Sequence, residues 1–134
     1  MKTIGTFEIL VHFEDLDAGG VVHHPNYLKI CERARNQWLA PLGLDTHSLL
    51  KEDFALAVRT IEAEYKKPLE AGKVFVELKI EETSSKSIRI AHAISENRES
   101  LPVFHAEILF VGIKVSTRTS CLLPNALMEC VGTS

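Results

Sequence analysis

The sequence predicts an α+β fold, a five-stranded antiparallel sheet packed on one main helix. Three observations predict it: several segments alternate apolar and polar residues with a period of two, a single segment repeats at helical spacing, and these occur as one strand, one helix, then four strands. Strands separated by short turns pair antiparallel most simply. A lone helix with an apolar face must bury that face against the sheet.

The first strand is read from Thr6 to Phe13. Phe7, Ile9, Val11 and Phe13 share one face, and Thr6, Glu8, Leu10 and His12 share the other. Acidic residues and paired glycines then break the pattern at Glu14 to Gly20. Pro25 suits a first helical turn, where its missing N–H costs nothing. Tyr27, Cys31, Ala34 and Trp38 follow at steps of four, three and four, so they line one helix face, and Pro41 and Gly43 end the helix near Leu42. Leu44 to Lys51 suggests a further short helical segment.

The remaining strands are expected at Ala55 to Lys67, Val74 to Glu81, Ile88 to Ile94 and Val103 to Val115. Pro68, the polar turn Thr83 to Ser87 and the turn Asn97 to Pro102 separate them. The last stretch, Ser116 to Ser134, is weakly patterned, and its Leu122 to Met128 is read as a tail that docks or frays.

At 134 residues the chain fits one domain, 1–134, with enough length to bury a core. Apolar residues make up 46% and charged residues 25%, which excludes a disordered chain. A net charge of -3 with no Lys/Arg block argues against nucleic acid as a partner. No apolar run is long enough to span a bilayer, and Met1 to Phe7 lacks the pattern of a signal peptide, so a cytoplasmic location is expected. Cys31, Cys121 and Cys130 form no metal-ligand pattern with the histidines and read as reduced thiols, Cys31 facing the core. Neither a metal nor a cofactor is expected.

Chemistry concentrates in Asp17-Ala18-Gly19-Gly20-Val21-Val22-His23-His24-Pro25-Asn26-Tyr27. This segment delivers a carboxylate and two imidazoles to the mouth of a helix. Glycines permit backbone conformations and ligand approach that other residues resist. The helix start offers unpaired N–H groups and a partial positive charge, and such groups stabilise the oxyanion that forms when a carbonyl is attacked. A carboxylate beside them can act as nucleophile or general base. The combination suits acyl transfer. Asp15 and Glu14 read as solvated loop charges, and His12, His47, His92 and His105 as ordinary residues.

The run from Phe13 to Lys29, continued by Glu32-Arg33-Ala34-Arg35, resembles the signature of the 4-hydroxybenzoyl-CoA thioesterase family. Its nearest branch is the small bacterial acyl-CoA thioesterases associated with the Tol-Pal system. Looser similarity at Val58-Arg59, Glu64-Tyr65, Pro68, Ser85 to Ile94 and Ala106 to Val111 extends the resemblance to about Pro124. It implies the hotdog fold, a curved antiparallel sheet wrapped around a central helix. It also implies homodimers or homotetramers with active sites at the subunit interface, and an acyl-CoA substrate. By position, the family's catalytic aspartate falls on Asp17. His24 is a second catalytic candidate, and its backbone N–H is the oxyanion donor. Gly20 and Val22 in the diagnostic segment, and Arg59, Lys86 and Ser87 beyond it, are the substrate-binding candidates, the last three for the phosphates of coenzyme A. Glu32 is a weaker alternative to Asp17. A hotdog dehydratase is disfavoured, because His24-Pro25-Asn26 lacks a His-Phe-Pro-Gly loop and Trp38 stands where a glutamate is needed. A binding module without catalysis, and a thioesterase for acyl carrier protein, remain the alternatives.

Overall fold

A computed structural model of the chain describes residues 2–131. Its sheet contains β1 (Lys2–Val11), β2 (Phe54–Tyr65), β3 (Gly72–Thr83), β4 (Ser87–Ser95) and β5 (Phe104–Lys114), in the order β1-β3-β4-β5-β2. Every pairing is antiparallel, and a two-residue β6 (Thr119–Ser120) joins the end of β5. The helices are α1 (Asn26–Leu39), α2 (Thr46–Lys51) and α3 (Asn125–Val131).

Alternation sets which face is buried. Val74, Val76, Leu78 and Ile80 of β3, Ile88, Ile90 and Ile94 of β4, and Phe104, Ala106, Ile108 and Phe110 of β5 all turn inward. Ile30, Cys31 and Ala34 of α1 meet them with no exposed surface, and burial pushes the Cys31 thiol up to about 12. Register shifts at Thr3/Gly5, Val58/Thr60 and Ile80/Glu82 mark bulges. Bulges add local twist, which helps the sheet curve about α1.

The inner face of the first strand stops earlier than expected. β1 ends at Val11, and Phe13, assigned to the buried face, is 85% exposed because it opens a 3-10 turn, Phe13–Asp15. Likewise α1 ends at Leu39, where a 3-10 turn, Ala40–Leu42, carries the chain on to Gly43. Tyr27, Cys31 and Ala34 line the buried helix face as expected, while Trp38 packs on the core only partly buried and Leu39 is enclosed instead. The tail docks: Leu123, Leu127 and Val131 are buried, and β6 adds a sixth strand to the five foreseen.

One strand is incompletely covered. Every residue of β2 from Val58 to Tyr65 is exposed, including Val58, Ile61 and Tyr65. β2 is a sheet edge; α1 packs against β1 and β3, and α2 covers the start of β2.

Candidate active site

The loop between β1 and α1 is built on Asp15, which is 4% exposed and not the solvated charge expected. Its Oδ1 accepts from Arg33 Nη2 at 2.7 Å, and its Oδ2 accepts from Arg33 Nη1 at 2.9 Å and from the His12 N–H at 2.9 Å. Its carbonyl accepts from the His23 N–H and from Asn26 Nδ2, both at 3.0 Å. A buried carboxylate persists when paired in this way, and the Arg33 guanidinium holds the Asp15 carboxyl below its usual range. Asp15 therefore ties the end of β1, the glycine loop and α1 together.

Asp17 occupies a tight turn. Its N–H donates to Val21 O at 2.8 Å, and the Gly20 N–H donates to Asp17 O at 3.0 Å. Gly20 has φ +82, a left-handed conformation that favours glycine. A Cβ on Gly19 would sit 3.2 Å from Asp17 Oδ1, the oxygen that accepts the Gly19 N–H at 2.8 Å. These glycines let the backbone grip one carboxylate oxygen, and Asp17 itself stays exposed. The Val22 N–H donates to Leu69 O at 2.8 Å and fastens the loop to the segment after β2.

Asp17, Val22 and His24 line one open cleft of about 370 Å³, together with Tyr27, Tyr65 and Lys66 to Pro68. Tyr65 was not foreseen as a site residue; its hydroxyl donates to His24 O at 3.0 Å. Tyr27, read as core, is both buried and cleft-lining, and its hydroxyl accepts the Leu69 N–H at 3.1 Å. The rings of Tyr27, Tyr65 and Phe104 lie about 5 Å apart, a contact geometry that fixes this wall. The His24 N–H has no protein acceptor among the described residues. A carboxylate with one oxygen held, beside an unpaired backbone donor, has the parts needed to attack a carbonyl and steady the resulting oxyanion.

A model of the thioesterase-like superfamily matches residues 11–131. The chain belongs to that superfamily. It is a thioester hydrolase with the hotdog fold. An acyl-CoA thioesterase, YbgC, of Helicobacter pylori is 30% identical over 131 residues, covering 89% of this chain and 93% of that protein. A 1,4-dihydroxy-2-naphthoyl-CoA hydrolase of Synechococcus elongatus is 27% identical over 126 residues, covering 92% of this chain and 91% of the relative. Among solved structures, Slr0204, a 1,4-dihydroxy-2-naphthoyl-CoA thioesterase from Synechocystis, superposes with a TM-score of 0.86 at 25% identity, covering 96% and 95% of the two chains.

In this thioesterase the other expected residues do not gather on the Asp17 cleft. Gly20 stands in the loop beside it. Arg59 sits exposed at the bulge of β2. Lys86 and Ser87 belong to the β3–β4 turn, where the Ser84 and Ser87 hydroxyls are 2.7 Å apart. Ser87 pairs with Val111, while the cleft adjoins Phe104, seven residues along β5 and so roughly 23 Å away at strand spacing. One chain therefore does not bring Lys86 to Asp17. Glu32 lies midway along α1, at a different hollow lined by Arg35, Leu39, Phe54 and Phe110. Among the described residues, no group of three or more His, Cys, Asp or Glu side chains is arranged to hold a metal ion, and no helix is long and apolar enough to cross a membrane. Tyr65 and Lys66 to Pro68 were missed because they lie some forty positions from the motif, and only the fold closes that distance.

Proposed function

We propose that this thioesterase hydrolyses acyl-CoA at the Asp17 cleft, releasing a free acid and coenzyme A. The observation that carries this reading is Asp17, held by the Gly19 N–H, sharing a cleft with His24 at the entrance to α1. The substrate carbonyl docks on the free His24 N–H. Asp17 then attacks it to form a mixed anhydride that water hydrolyses, or deprotonates the attacking water directly. Either route consumes one water and expels the thiolate, a good leaving group, so a strong acid is unnecessary. His24 orients the ester or the water, Val22 forms the near wall, and Gly20 holds the turn that carries Asp17. The relatives named for acyl-CoA and for 1,4-dihydroxy-2-naphthoyl-CoA support coenzyme A as the carrier and leave both aliphatic and aromatic acyl groups open.

Thiol release from a panel of short, long and aromatic acyl-CoAs tests the reading. Asp17→Asn should lower turnover by at least ~10³-fold. Full activity in that variant would remove Asp17 from the chemistry.

The enzyme works as a homodimer or a homotetramer. Exposed Val58, Ile61 and Tyr65 on an unpaired sheet edge support pairing of β2 with β2 of a second copy. Arg59 lies on that edge, and such pairing offers Lys86 and Ser87 a route to the neighbouring copy's cleft. Sedimentation should show at least a dimer at micromolar concentration, weakened by Ile61→Arg; a monomeric wild type would remove the shared-site arrangement. Three free cysteines suit a reducing cytoplasm.

A further inference from the structure

Beyond Tyr65, two lysines leave β2 in an unusual way. The N–H groups of Lys66 and Lys67 both donate to Val103 O, at 2.8 and 3.1 Å. Two residues set against one is the arrangement of a bulge, and bulges re-aim the side chains they carry. Both lysines consequently line two hollows at once. One is the Asp17 cleft, and the other, of about 450 Å³, is bounded by Glu96, Leu101 and Pro102. The two hollows meet at the lysines, so a groove leads from the reacting carboxylate past two ammonium groups to an apolar wall. Leu101 forms much of that wall and is 87% exposed.

The charges on this ridge are uncompensated. Among the described residues, neither Lys66 nor Lys67 has a carboxylate within 4.0 Å; the ion pairs lie at Asp15, Glu8, Glu77 and Glu82. Glu96 lies across the second hollow and would push an anion toward the lysine side. We propose, on the acyl-CoA reading above, that Lys66 and Lys67 bind the phosphates of coenzyme A, with its pantetheine arm running back through the Asp17 cleft to the thioester and its adenosine beside Leu101 and Pro102. Ammonium groups bind phosphate as mobile point charges and need no fixed fork. This ridge belongs to the same chain as Asp17, unlike the Lys86 turn, so recognition of the carrier begins within one subunit.

Calorimetric binding of coenzyme A and of pantetheine, which lacks the phosphates, to the full chain tests this without turnover. In Lys66→Gln/Lys67→Gln the Kd for coenzyme A should rise about tenfold, with pantetheine unchanged and Lys66→Arg/Lys67→Arg near wild type. The KM for acyl-CoA should rise in parallel. Unchanged coenzyme A affinity, or an equal loss for pantetheine, would overturn the proposal, as would a defect confined to acyl carrier protein thioesters. Because product binding is read directly, failure here is distinct from failure of Asp17 to catalyse.

Discussion

Two charged regions flank α1, and they are built to opposite ends. At its start, the glycine loop leaves Asp17 exposed with one oxygen held by a backbone donor. In its second half, Arg35 Nη1 lies 2.9 Å from Nε2 of fully buried His92, and its guanidinium stacks 4.8 Å over Phe110. There burial, reinforced by the charge of Arg35, drives His92 down to about 3. A neutral ring then accepts from Arg35 through Nε2 and donates through Nδ1 to Ala106 O at 3.2 Å. The first region leaves a carboxylate where a ligand can reach it. The second keeps the His92 ring neutral and buried, with Arg35 between it and a separate hollow. Between them, the Asp15–Arg33 pair uses a buried carboxylate purely as a fastener. Proximity to α1 is thus no guide to catalysis; access to a cleft is.

The largest effect expected is on Asp17. Asn in its place should cost at least ~10³-fold in turnover while the urea midpoint stays put. Arg33→Met should show the reverse ordering. Stranding the buried Asp15 carboxylate should cost about 3 kcal/mol of stability, and activity should fall as the loop loosens. A stable Arg33→Met protein would mean that Asp15 does not fasten the loop.

The smallest effect is the pH dependence of the His92 region. The folded His92 pKa lies below its ordinary value of 6.5, so the unfolded chain binds more protons as pH falls. Stability from this group is complete above pH 6.5 and declines below it, by about 2 kcal/mol between pH 6.5 and pH 5. Urea unfolding at pH 7 and pH 5 should show that loss in the wild type and a smaller one in His92→Gln. Equal losses would assign the acid sensitivity elsewhere. Asp15 contributes in a separate window, because its pKa is lowered from 3.8 and its stabilisation disappears only as pH falls through that more acidic range.

Legibility differed between elements for physical reasons. In β3 one buried face and a strict period of two were enough to find the strand, while β4 was marked by Ile88, Ile90 and Ile94 and β5 by a long β-prone run. The first strand misled at Phe13 because alternation continues in sequence after the backbone has turned away. Asp15 misled because acidic residues in a loop are usually solvated, and nothing local announces an arginine eighteen positions on. His92 carried no motif, and its burial follows from facing α1 across the sheet. The tail was weakly patterned because a short helix and a two-residue strand carry too few turns or alternations to show a period.

The sequence by itself determined the strand–helix–four-strand order, the buried faces of the central strands, and the placing of Asp17 and His24 on one glycine loop before a helix. These rest on local chemistry: side-chain periodicity, turn residues and glycine freedom. Only the tertiary structure decided that Tyr65, Lys66 and Lys67 close the cleft, that Asp15 is sealed by Arg33, and that Lys86 sits at the far end of the sheet. Each depends on strand order and register, which bring distant segments together through cooperative burial and leave no trace in any one segment.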